Sequence, residues 1–186
     1  MKVSQQLVGV NQRLGNTAVP NMQGTTRAIF DSIDQVGAAT DFTLTFFQGV
    51  SARVFPAANV STNRFEVGES LAIQGFSIFQ RATATIAAQS FSLSAAITSG
   101  ILNFYIGNQR VVKDLEIAGY SRFQIGESVS EAIQPAVFRL ETPIVIPPQI
   151  EYYATLRLGA TGTQDGQTFT LCAFGTGTLL NTKSNY

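Results

Sequence analysis

Arg64-Phe65-Glu66-Val67-Gly68-Glu69-Ser70-Leu71-Ala72-Ile73-Gln74-Gly75-Phe76-Ser77-Ile78-Phe79-Gln80-Arg81 reads as a turn running into a long strand. Leu71 and Ile73 alternate on odd positions and Phe76 and Ile78 on even ones, so the apolar face changes phase at Gln74-Gly75. The composition stays that of a strand throughout. One extra residue beside a glycine, which takes φ > 0 without steric cost, predicts a β-bulge. The stretch is therefore expected to be a bent central strand with one face on a core.

Outward from it, Phe42, Leu44 and Phe46 alternate with Thr43 and Thr45, a strand of good β formers. Leu102, Phe104 and Ile106 make another, followed by the turn pair Gly107-Asn108 and by Val111, Leu115 and Ile117 on odd positions, which predicts a hairpin. Ile150, Tyr152, Ala154, Leu156 and Leu158 form the longest unbroken period-2 run. A glycine-rich loop with Asp165-Gly166 leads from there to Phe169, Leu171 and Ala173, which reads as a second hairpin with a polar tail from Gly175. Residues 82–97 read as one or two strands broken near Gln89, and 27–33 as a short mixed element. Pro143, Pro147 and Pro148 around Ile144-Val145-Ile146 exclude a central strand there and predict an edge or a crossing segment.

These readings sum to an all-β chain: an antiparallel two-sheet sandwich of roughly eight strands, jelly-roll-like, with an extended N-terminal arm. The expected division is an arm over 1–26, one sandwich domain over 27–180 and a polar tail over 181–186. Within the arm, Leu7, Val8, Val10 and Leu14 are spaced aliphatics with no period of their own, which fits docking on a neighbouring subunit.

Charged residues are only 13% of the 186, about half the usual share, and twelve acids balance twelve bases. A surface so poor in charge is covered by neutral polar groups or buried against other chains. The balance gives no electrostatic footprint for nucleic acid, although Lys2, Arg13 and Arg27 offer local contacts. Nine of the twelve bases are arginine, the cation that interfaces favour over lysine. The N-terminus lacks the apolar run of a signal peptide and no window approaches a membrane span. Asn59-Val60-Ser61 matches a glycosylation sequon, but without such a leader it carries no meaning.

With no histidine in the chain, Ser-His-Asp and Cys-His catalysis are excluded, as is Cys/His zinc. No phosphate-cradling glycine motif occurs. Lone Cys172, in an apolar run, reads as a small core hydrophobe. Glu69, Glu127, Glu141, Glu151 and Asp165 are the acids available for glycosidase chemistry, but the chain has no tryptophan to form a sugar platform, and Tyr105, Tyr152 and Tyr153 read as sheet packing. Asp31, Asp34 and Asp41 are too few oxygen ligands for calcium. The reading is of a protein without catalytic residues, cofactor or metal.

Arg64-Phe65-Glu66-Val67-Gly68-Glu69-Ser70 is echoed by Arg122-Phe123-Gln124-Ile125-Gly126-Glu127-Ser128, which suggests two similar turns entering strands, each with its glycine at φ > 0. The apolar-spotted arm, the charge-poor sandwich without histidine or tryptophan, and Thr142-Pro143-Ile144-Val145-Ile146-Pro147-Pro148 together resemble jelly-roll virion structural proteins, particularly those of bacteriophages. The resemblance is architectural. It implies a capsid, vertex or head-decoration subunit, assembled in the host cytoplasm, whose partners are further copies of itself and other virion proteins. The alternative is a carbohydrate- or receptor-binding jelly-roll module, with Asn108, Gln109, Tyr120 and Asp165 at the ligand.

Overall fold

A computed structural model of the chain describes residues 22–35, 41–53, 55–82, 100–117, 136–159 and 166–180. Eight strands run through them: β1 (Met22–Gln35), β2 (Phe42–Phe46), β3 (Ser70–Ala82), β4 (Ile101–Ile106), β5 (Gln109–Glu116), β6 (Ala136–Ile146), β7 (Tyr152–Leu158) and β8 (Gln167–Leu180). The one helical element among them is a 3₁₀ turn at Val50–Ala52. Two four-stranded antiparallel sheets result, ordered β1-β8-β3-β6 and β2-β7-β4-β5. The expected all-β, jelly-roll-like sandwich is what the chain forms.

The order has a simple origin. β1 pairs with β8, β2 with β7, β3 with β6 and β4 with β5, so the chain is one long antiparallel ribbon folded at Gly107-Asn108 and rolled up. Rolling adds the β3–β8 and β4–β7 pairings that complete the two sheets. Only β4 to β5 is a hairpin within one sheet; every other connection changes sheet.

The bulge lies where the phase change places it, with the register of β3 against both neighbours shifting between Ile73 and Gly75. Leu71, Ile73, Phe76 and Ile78 are all fully buried as a result. The glycine serves a different purpose from the one expected. Gly75 is not among the residues at positive φ; a Cβ there would collide with the Phe138 carbonyl and the Phe174 ring. Opposite, a Cβ on Gly175 would run into the Ala72 carbonyl. Close approach of three strands, not dihedral freedom, requires glycine here.

Several expectations are corrected. β1 is a regular strand of 14 residues beginning at Met22, so 22–26 belong to the sandwich and not to the arm, and 27–33 is no short mixed element. β7 and β8 lie in different sheets and form no hairpin, and β8 continues past Gly175 to Leu180. In β5 the buried side chain is Val112 while Val111 is exposed, because Asp114 at φ 49 makes an irregularity opposite Asn103 that resets the alternation before Leu115. The prolines do mark an edge: β6 flanks its sheet and pairs only with β3, and its 140–143 segment faces a single residue, Gln74. The strand expected within 82–97 lies almost wholly outside the described residues.

The core sits between the sheets, where Phe76 of one meets Phe104 of the other at 5.4 Å and Phe42 meets Phe169 edge-on at 5.9 Å. The two ends differ in character. At one end the chain leaves at Gln35, Ala82, Glu116 and Leu158, strand ends brought together by the register of both sheets. The other end holds the β2–β3 loop, the Gly107-Asn108 turn, the β6–β7 connection and the two ends of the strand-forming chain, Met22 and Leu180.

Candidate functional site

Three arrangements of polar residues stand out, all on the β2–β3 loop or the end of the sandwich that it closes. The first pins that loop to β1. Asp31 is fully buried, and its carboxylate accepts hydrogen bonds from the Phe47 N–H and from Nε and Nη2 of Arg53, each at 2.6 Å. This bidentate pair fixes the chain just after the 3₁₀ turn. The loop then runs along β1 as an extra partial strand. The Ser32 N–H donates to the Ala57 carbonyl, and the Asn59 N–H to the Phe30 carbonyl. The Asn59 side-chain amide accepts from the Phe30 N–H and donates to the Ala28 carbonyl. The amide that would carry a glycan is thus bonded to β1.

The second arrangement closes the core. Tyr152 is fully buried against Phe47, Phe65 and Phe104. Arg27 lies over the Phe65 ring, its guanidinium carbon 4.6 Å from the centroid, and donates to Glu69 at 3.0 Å. A recess of about 140 Å³ opens there between Arg27, Asn59, Arg64, Glu69 and Tyr152. The Tyr152 hydroxyl has no hydrogen-bond partner among the described residues. Burial pushes its pKa well above the ordinary tyrosine value; nearby Arg27 opposes the rise, and Asp31 and Glu69 add to it. The phenol is therefore neutral across the physiological range.

The third is an exposed ion pair between Arg64, at the edge of that recess, and Glu151. Glu69 and Glu151 are thus each held by their own arginine and do not form the facing, differently poised pair that glycoside cleavage needs. Glu127 and Asp165 lie outside the described residues. The three aspartates also go separate ways: Asp31 to Arg53, Asp34 to the Thr168 hydroxyl, and Asp41 to Arg157, whose hydrogen bond and charge hold the Asp41 carboxyl below its usual range. Among the described residues no cluster of three or more metal-ligating side chains exists.

Leu7, Val8, Val10 and Leu14 of the arm lie outside the described residues, as do Tyr120, Asp165 and the second copy of the echoed turn. In the first copy, Gly68 takes φ 84, Phe65 is buried and Glu69 reaches Arg27, so the motif builds the closed end. Asn108 and Gln109 sit at the same end as the β2–β3 loop. Gly166 donates its N–H to the Gln35 carbonyl at the opposite end of the sandwich. Tyr105 and Tyr153 stack face to face, 4.5 Å apart and 5° from parallel, as a cross-strand pair; each ring turns a face to the other, which is unlike an open sugar platform. Cys172 is partly buried and its thiol pKa is raised by that burial, the opposite of a reactive thiolate. Among the described residues no helix is long and apolar enough to cross a membrane.

The buried role of Asp31 is not visible in the sequence, where it is one acid among several. The pairing of Arg27 with Glu69 is equally hidden, since 42 residues separate them. No protein-family model, curated protein or solved structure matches the chain.

Proposed function

We propose that this chain is a structural subunit of a virus particle, working through contacts between copies and not through catalysis. The observation that supports it best is the strand order, β1-β8-β3-β6 against β2-β7-β4-β5, on a chain with half the usual charge. Eight-stranded jelly rolls recur as capsid building blocks, and a charge-poor surface suits burial against neighbours. The buried polar side chains bond within the domain, Asp31 to the β2–β3 loop and Ser32, Ser70, Gln80 and Thr168 to neighbouring strands, which fits a scaffold better than an enzyme. In this reading the assembled chain resides in the virion, and the arm with Leu7, Val8, Val10 and Leu14 reaches a neighbouring copy.

The test is the mass of the full chain in solution, by light scattering after size exclusion, beside a form with those four aliphatics changed to serine. A closed multimer from the first and a folded monomer from the second is the expected result. Monomers from both, together with binding on a glycan array, would replace this reading with the carbohydrate-binding one.

A further inference from the structure

An antiparallel sandwich has four sheet edges, and each exposes unpaired backbone groups that can recruit another strand unless something blocks them. Three of the four are blocked here. β2 is only five residues long and runs into Phe47 at φ 66. β5 carries Arg110 and Lys113 and is broken by Asp114 in the left-handed region. β6 is interrupted by the 140–143 excursion, in which Pro143 has no N–H to offer.

β1 is blocked over only half its length. The β2–β3 loop takes the Ala28 C=O, the N–H and C=O of Phe30 and the Ser32 N–H. The pairing of β1 with β8 is regular from Met22 to Gln35, so the same alternation turns the N–H and C=O of Met22, Gly24 and Thr26 to the same edge. Among the described residues, no backbone group bonds to them from that side, and the Thr26 carbonyl has only a long 3.4 Å bond from the Thr25 hydroxyl, which a second strand would replace. Gly24 and Thr26 are exposed, and residues 14–26 contain no charge at all.

We propose that this open half of β1 is a strand-addition site whose occupant is the same strand of a second copy, paired antiparallel about a two-fold axis through Gly24. The inference rests on the assembly reading above. In that register Gly24 faces Gly24 of the second copy and Met22 faces Thr26. Each pair exchanges both its hydrogen bonds, about six in all. No like charges meet, because the segment has none, and Gly24 puts no side chain at the centre of the contact. The two sheets become one continuous sheet of eight strands. An edge of five residues buries far less than the roughly 800 Å² per partner of a stable dimer, so the contact acts collectively with others in a closed assembly.

A transient contact is best trapped covalently. Hydrogen-bonded antiparallel partners have Cα atoms about 5.5 Å apart, within the range that a disulfide spans. Gly24→Cys is accommodated, since the nearest atom to its Cβ is the Thr176 methyl at 3.8 Å. The full chain carrying Gly24→Cys and Cys172→Ser is oxidised beside a control with Val137→Cys and Cys172→Ser, which places the thiol on exposed β6. The expected result is a disulfide-linked dimer that forms at least tenfold faster through position 24 than through 137. If light scattering shows the full chain multimeric while the thiol introduced at position 24 stays reduced, the strand pairing is wrong and the assembly reading stands. If the full chain is monomeric at every concentration and that thiol stays reduced, both fall.

Discussion

Asp31 illustrates how one side chain sets the course of a loop. With no solvent contact and three short hydrogen bonds, its carboxylate holds Arg53 and the backbone at Phe47 together. Asp31→Ala would leave a guanidinium, about a quarter exposed, without its partner, at an expected loss of about 3 kcal/mol in urea unfolding. A loss below about 1 kcal/mol would show that Asn59 and the Ser32–Ala57 backbone bond hold the loop without it. Tyr152 makes the opposite case, because its hydroxyl is buried without a partner. Tyr152→Phe is expected to stabilise the fold by about 1 kcal/mol at neutral pH. Since burial raises the pKa of this phenol in the folded state, its contribution is complete below the unfolded value near 10 and is lost as pH rises above it. The wild type should therefore lose stability above pH 10 faster than the phenylalanine variant, as unfolding at pH 7 and pH 10.5 would report. Neither residue announces itself in the sequence: aspartate is nearly always exposed, and a tyrosine in an alternating strand shows its face but not the fate of its hydroxyl.

At the scale of the element, β3 is where sequence and structure agree most closely and still differ in cause. The phase change at Gln74-Gly75 locates the bulge to the residue, because a period of two cannot absorb an extra residue without exposing one side or the other. What lies across from the glycine is not legible, because it depends on which strands come alongside. Gly75→Ala and Gly175→Ala are each expected to cost about 1–3 kcal/mol, since backbone carbonyls occupy the added methyl's place, whereas Gly24→Ala should be neutral. Equal thermal midpoints for all three would remove the close-approach explanation. The alternation of Tyr152 to Leu158 is legible for the same periodic reason. The pairing of β7 with β2 and β4 is not: a glycine-rich loop between two strands looks like a hairpin whether the chain returns to the same sheet or crosses to the other.

For the whole molecule, the two ends of the sandwich divide the labour. One end is closed by Phe65, Tyr152, Arg27 and Glu69, with the first and last strands entering and leaving beside it. The other gathers the β1–β2, β3–β4, β5–β6 and β7–β8 connections. If the chain assembles as proposed, one end and its flanking edge can meet neighbours without disturbing the other. If the contacts are as uncharged as the edge of β1, the multimer sought by light scattering should keep its mass as salt rises, because there is little charge to screen. The eight-strand count and the sandwich are readable from strand spacing and turn chemistry. The rolled-ribbon order is not, since periodicity reports faces and never partners.

That ribbon also governs when each strand can be completed. β1 is made first, yet its partner β8 is made last, with Gln35 opposite Gln167. At ribosomal speeds of roughly 5–20 residues per second, β1 waits on the order of ten seconds for its neighbour, with both of its edges open. The loop that ends at Asn59 emerges long before β8 and can shield one of them early. Asp31, Phe47 and Arg53 are all made before β8, so this anchor needs no later strand to supply its partners.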